Sequence, residues 1–214
     1  MRGMHQVMQQ VSLLVVLVSV SIATVSVSAQ STLPINEDQL LYEFIGEYAN
    51  SPMVTGPNNL QFGYLSSITG LSSVFSGSPQ NESTALFTFV IKATTYQAVI
   101  HGPFRIVDRT GTATIYLNNG PSDFSNPASF SQGTPIQVAN YRQTAITHLP
   151  TNTFVSTNTH TITSVETFTL NGQTYRLGQV GKTFRSNYSG EINAPNGIPT
   201  NNGWIAATAF GTKN

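Results

Sequence analysis

Glu43 and Glu47 are the carboxylates whose spacing best suits acid–base work. Four residues apart on a predicted strand, they share one face at a separation of about 13 Å. Two arrangements satisfy this pattern. Either both face solvent while Tyr42, Phe44 and Tyr48 fill the core, or their face is the polar interior of a barrel. In the second case a carboxyl with a raised pKa could act as acid or base. His101, Arg105 and Arg109 share odd parity with Val99 and Val107 across Gly102-Pro103, the pattern of a solvated strand face. The remaining ionisable residues are poorly placed for metal chemistry. His101, His148 and His160 show no HxH or HExxH spacing. His160 and Glu166 share a face by parity, but six strand residues separate them by about 20 Å. No zinc site and no other cofactor is expected. There is no GxSxG elbow, and Gly111, Gly120 and Gly172 lack the flanks of a phosphate-binding loop. With no cysteine, disulfides, thiolate metal sites and cysteine nucleophiles are excluded.

Aromatic side chains offer a different chemistry. Phe87, Phe89, Tyr96, Phe104, Tyr116 and Tyr175 could line a lumen for a small apolar or aromatic molecule, with ordinary core packing as the alternative. The sequons Asn81-Glu82-Ser83 and Asn187-Tyr188-Ser189 mark Asn81 and Asn187 as glycan acceptors if the host glycosylates. Asn81 lies in a polar loop, whereas Asn187 falls inside a predicted strand.

Charge is scarce throughout. Charged residues are 8% of the chain and the formal net charge is zero, where a typical domain carries about a quarter charged residues. No basic excess is present to grip phosphates, so nucleic-acid binding is not expected. An apolar content of 39% excludes a disordered chain. The N-terminus has the form of a secretory signal: Arg2, an apolar run from Val11 to Val20, and the small-residue stretch Val25-Ser26-Val27-Ser28-Ala29. Cleavage before Gln30 leaves 185 residues, with a net charge of −1 once Arg2 is lost. An uncleaved anchor is the alternative, opposed by the serines and threonines of this stretch and by the lack of a basic stop-transfer cluster. The mature chain is therefore expected off the membrane, and secreted, periplasmic or on the cell surface. Ser, Thr and Asn runs such as Ser156-Thr157-Asn158-Thr159-His160-Thr161 are expected to supply its solubility.

Residues 30–214 form one domain of alternating segments with no convincing helical repeat. Strands are predicted over Leu41–Tyr48, Leu86–Lys92, Tyr96–His101, Phe104–Asp108, Thr112–Leu117, Tyr141–Leu149, Phe154–Ser164, Val165–Leu170, Thr174–Leu177, Thr183–Ile192 and Trp204–Phe210. A tight turn is predicted at Asp108-Arg109-Thr110-Gly111, and Asn171-Gly172 carries the strongest hairpin signal. The fold class is all-β: an antiparallel up-and-down barrel of about 8–10 strands, with a sandwich as second choice. Closure hides the edges of such weakly charged strands. The long segment from Asn118 to Pro135 is expected to cover a barrel mouth, and 193–203 forms a second loop.

Leu86 to Gly120, with its aromatic-rich strand, its strand ending in Gly102-Pro103 and its strand closing on Gly120, resembles the central hairpins of the allene oxide cyclase barrel. That barrel is related in architecture to dirigent proteins. Leu41 to Pro52 resembles the same family's opening strand. The resemblance implies an eight-stranded barrel whose lumen binds an apolar molecule. It also implies cyclisation or coupling of a reactive intermediate steered by shape, with a glutamate assisting, for which Glu43 is the position available. The cysteine of that family's pocket has no counterpart here.

The chain is then one of three things: a secreted barrel that binds a small apolar or aromatic ligand, a cyclase-like or dirigent-like enzyme, or an adhesive or matrix surface protein. A lumen of about 300 Å³ or more, opening near Asn118–Pro135, would favour the first two. A filled core would overturn both and leave the third.

Overall fold

A computed structural model describes residues 31–33, 39–51, 56–192 and 202–212. The expected signal segment 1–29, its cleavage point and most of the 193–203 loop lie outside the described residues. The strands are β1 (Ser31–Leu33), β2 (Leu40–Asn50), β3 (Asn59–Ile68), β4 (Phe87–His101), β5 (Phe104–Leu117), β6 (Thr134–His148), β7 (Thr153–Val165), β8 (Thr167–Leu170), β9 (Gln173–Leu177), β10 (Thr183–Ile192) and β11 (Asn202–Gly211). Eight of them, β2 to β7 with β10 and β11, close into an antiparallel barrel in which β11 pairs with β2. The all-β, up-and-down barrel is the architecture the alternation predicts. Among the described residues no helix is long and apolar enough to cross a membrane.

Period-two alternation sends one set of side chains into the lumen. At one end Tyr42, Phe44, Phe87, Phe89, Ile136, Phe184 and Leu65 fill it as a dry aromatic core. The ring pairs Tyr42–Phe184 and Phe44–Phe89 stand edge to face at 5.5 and 5.2 Å. That end is closed by a separate three-stranded sheet, ordered β1-β9-β8. Phe168 and Leu177 of this sheet are buried against the barrel, and Gln137 Nε2 donates to the Leu177 carbonyl at 2.8 Å. The β8–β9 hairpin turns at Asn171 and Gly172, both at positive φ (52° and 78°), as a tight type I′ turn requires.

Three expectations are corrected and one strand is added. Leu86–Lys92 and Tyr96–His101 lie in one strand, β4, with a bulge at Tyr96 where the register with β5 shifts. Asp108–Gly111 is not a turn but the middle of β5, held by pairing to β4 on one side and β6 on the other. β3 escaped prediction because its polarity is inverted. Its lumen side is Asn59, Gln61 and Gly63, while Leu60, Phe62 and Tyr64 face outward. Lastly, the connection after β5 covers no mouth. It folds along the outer wall, where Phe124 and Phe130 stack with Phe62 and Trp204 at 4.9–6.1 Å. Thr88 Oγ1 donates to the Phe130 carbonyl at 2.8 Å and ties the segment down. Apolar rings inside that polar connection find their burial on β3, β4 and β11.

Large inward rings are accommodated by inward glycines. A Cβ on Gly46 would lie 2.9 Å from the Phe89 ring and collide with the Phe62 carbonyl. Gly203, paired with Tyr48, and Gly190, paired with Phe154, do the same for those rings at 2.6 and 2.7 Å. Gly46→Ala should therefore lower stability by about 1–3 kcal/mol through overpacking. Gly77→Ala, where a Cβ meets open space, should change it by less than about 0.5 kcal/mol. Urea midpoints of the two variants check the pair.

Candidate binding site at the barrel mouth

At the end opposite the three-stranded sheet the lumen turns polar. Arg109 enters it from β5 and donates from Nη1 to Gln143 Oε1 (2.8 Å), from Nη2 to Asn50 Oδ1 (3.3 Å) and from Nε to Thr95 Oγ1 (3.1 Å). Gln143 Nε2 passes the chain to Ser156 Oγ (3.3 Å), which donates to Asn158 Oδ1 (3.3 Å). The Tyr141 hydroxyl donates to the same oxygen (2.9 Å) and accepts from Gln61 Nε2 (3.2 Å). Gln61 also donates to Asn59 Oδ1 (2.8 Å), and Asn59 Nδ2 to Asn50 Oδ1 (2.9 Å), which returns the circuit to Arg109. Gln61, Gln143, Ser156, Asn158 and Asn59 are all buried. Every strand from β2 to β7 contributes a member. Such groups stay inside only because each has a partner.

Above this circuit lies a cavity of about 60 Å³, lined by Tyr48, Asn50, Gln61, Arg105, Arg109 and Gln143 on its polar side. Val107, Ala145, Phe154, Ile192 and Ile205 form the apolar side. It is far smaller than the lumen expected, and it opens away from residues 118–135 rather than beside them. The difference has a simple cause: aromatic rings and the hydrogen-bonded amides occupy the rest of the barrel.

Electrostatics mark the mouth. Burial pulls the Arg109 pKa down, as does the like charge of Arg105, while Tyr141 and Tyr48 oppose the shift. The Tyr48 hydroxyl is pushed up to about 12 by burial, partly offset by Arg109 and Arg105. Tyr188, whose ring also lines the cavity, is fully buried, and burial pushes its hydroxyl pKa up, partly offset by Ser186. Among the described residues no group of His, Asp and Glu comes together that could hold a metal ion.

The sequence candidates scatter. Glu43 sits half-exposed on the outer face of β2, opposite Thr208 and Ser67, and lines a shallow outer depression rather than the lumen. Glu47 is also on the outer face yet is completely buried, in register with Trp204 and Phe62 beneath the 118–133 segment. Phe87 and Phe89 lie in the barrel core, Tyr116 packs under the outer segment and Tyr175 stacks on Phe168 in the small sheet. Tyr96 and Phe104 are exposed, at 58% and 47%. These six rings do not form one site. Asn81 is half-buried in its loop, its Oδ1 accepting from Ser83, and Asn187 is exposed on the outer face of β10.

Arg105 and Arg109, expected on a solvated face, point to the cavity with Val107. The bulge at Tyr96 breaks the parity that tied them to Val99, which faces outward and is 48% exposed. The polar lumen was also missed. Ser156, Asn158 and His160 come from a run expected to solvate the surface, but only the alternate threonines of that run lie outside. Their strict alternation with threonine was the available signal. Comparisons with protein-family models, curated proteins and solved structures found no match for the chain.

His160 is stacked on Phe184 at 4.4 Å with Nε2 against Ser186 Oγ at 2.8 Å, and burial drives its pKa down to about 3. It therefore stays neutral in the folded protein while the unfolded chain takes up a proton below about pH 6.5. Stability is unaffected by this group above that pH and is lost as pH falls from there toward 3. Between pH 7 and 5 the wild type should lose about 2 kcal/mol more than His160→Gln. Urea denaturation at the two pH values provides the check, and a parallel loss in both proteins would refute it.

Proposed function

We propose that this chain is an exported β-barrel that binds a small molecule at its mouth, in the cavity between Tyr48 and Arg109. One observation carries the reading: a closed barrel retains a cavity lined by both apolar side chains and polar groups. The rest of the lumen is filled. The polar groups are held by the circuit through Gln143, Gln61 and Asn50 rather than left to move with solvent, so the site is preorganised. Export rests on the signal-like N-terminal sequence.

The allene oxide cyclase-like or dirigent-like reading keeps the support of an eight-stranded barrel. Its assisting glutamate lacks support, because Glu43 faces outward and none of the residues lining the cavity is acidic. A surface-contact role is favoured by a separate feature. Val99, Ile106, Ile146 and Val155 are cross-strand neighbours in one row over β4 to β7, each 39–58% exposed.

Binding at the mouth is tested by Ala145→Leu, which places a larger apolar side chain in the cavity without removing any polar group. Native mass spectrometry of full-length protein from its own host should show a retained small molecule in the wild type. Occupancy should fall about tenfold or more in the variant. A variant that keeps wild-type occupancy would place the ligand elsewhere.

A further inference from the structure

Arg109 is an expensive group to keep inside a barrel. Its three hydrogen-bond acceptors, Thr95, Gln143 and Asn50, are all neutral. The one other formal charge acting on it is the like charge of Arg105. Of the nine acidic residues, Glu37 and Asp38 lie outside the described residues, and none of the other seven lines the cavity. The segments 52–55 and 193–201 contain no acidic residue in their sequence. A charge held away from water is normally paired, and here the part-buried Arg109 and the exposed Arg105 share a cavity that no acidic residue among the described ones lines.

Arg109, which lines that cavity, keeps donors that these bonds do not use. A guanidinium carries five N–H groups. Arg109 uses one on Nε and one on each terminal nitrogen, so Nη1 and Nη2 each keep one more. Arg105, four residues earlier on the same inward face of β5, is exposed and also lines the cavity. Forked N–H donors suit a planar, two-oxygen anion better than a point charge. The apolar lining bears on what the anion is attached to. Val107, Phe154, Ile192 and Ile205 would remain against water if the occupant were a bare inorganic ion. At about 60 Å³ the open cavity encloses only part of an organic acid, and most of a long acyl chain would extend past its apolar residues into water.

Building on the binding reading above, we infer that Arg109 and Arg105 form an anion clamp whose occupant is a compact carboxylic acid. Its carboxylate lies on the guanidiniums, and its apolar body lies against Tyr48, Phe154 and Ile205.

The test is isothermal titration of the full chain with three probes: benzoate, its neutral counterpart benzyl alcohol, and inorganic phosphate. In the wild type benzoate should bind about tenfold or more tightly than benzyl alcohol, with an affinity that falls as salt is raised. Phosphate should bind more weakly than benzoate. Arg109→Gln should abolish the preference for benzoate. Because that change also breaks three internal hydrogen bonds and could unfold the barrel, the exposed Arg105→Gln is measured beside it. It should reduce the preference by about threefold or more. Equal binding of benzoate and benzyl alcohol, both lost in Ala145→Leu, would overturn the clamp and leave the mouth site standing. A benzoate preference that survives both arginine changes would overturn the clamp as well. Phosphate binding as tight as benzoate would make this an inorganic-anion site. Binding of neither organic probe would overturn the clamp together with the mouth site.

Discussion

Hydrogen bonding around Arg109 is the constraint on which the upper half of this barrel depends. A guanidinium and several amides placed inside a β-barrel lose their water, and each unpaired group would cost on the order of 1–3 kcal/mol. The protein replaces that water with side chains from six adjacent strands, joined by hydrogen bonds into a ring that starts and ends at Arg109. Because the members are spread over β2 to β7, the circuit closes only if every strand holds its register. A slip of one residue in any of them would turn its amide outward and a threonine or an aromatic ring inward.

The lower half obeys a different rule. There the lumen is filled by Phe44, Phe89, Tyr42 and Phe184, and shape decides what fits. Inward glycines at 46, 190 and 203 accept rings that a Cβ would exclude. The aromatic layer and the three-stranded sheet beneath it fill one end, so the cavity lies at the polar mouth. His160 sits between the two regimes: it stacks on Phe184 and reaches Ser186, and it stays neutral in a place where an imidazolium could not be solvated.

Much of the fold was legible. Strand alternation from Leu41 to Tyr48, the Asn171-Gly172 turn and the span Thr183–Ile192 all appear in the structure as the pattern requires. What failed did so for physical reasons. β3 carries its apolar residues on the outside, because a second layer built from Phe124 and Phe130 covers them. The turn expected at Asp108–Gly111 is overridden by two neighbouring strands whose ladders run straight through it. The candidate site was the least legible part. Arg105 and Arg109 look like a wet strand face until the bulge at Tyr96 is known to reset the parity of the opposing strand.

By itself the sequence determined the class: an all-β chain with alternating strands, scarce charge and no thiol chemistry, because periodicity and composition are local properties that each residue carries. Which face of each strand points inward belonged to tertiary structure alone. With so few charges to mark the outside, asparagine, glutamine and serine suit water and a satisfied lumen equally well. Only closure of the barrel, which brings Asn50, Gln61, Tyr141 and Asn158 within hydrogen-bonding reach of one another, decides between the two.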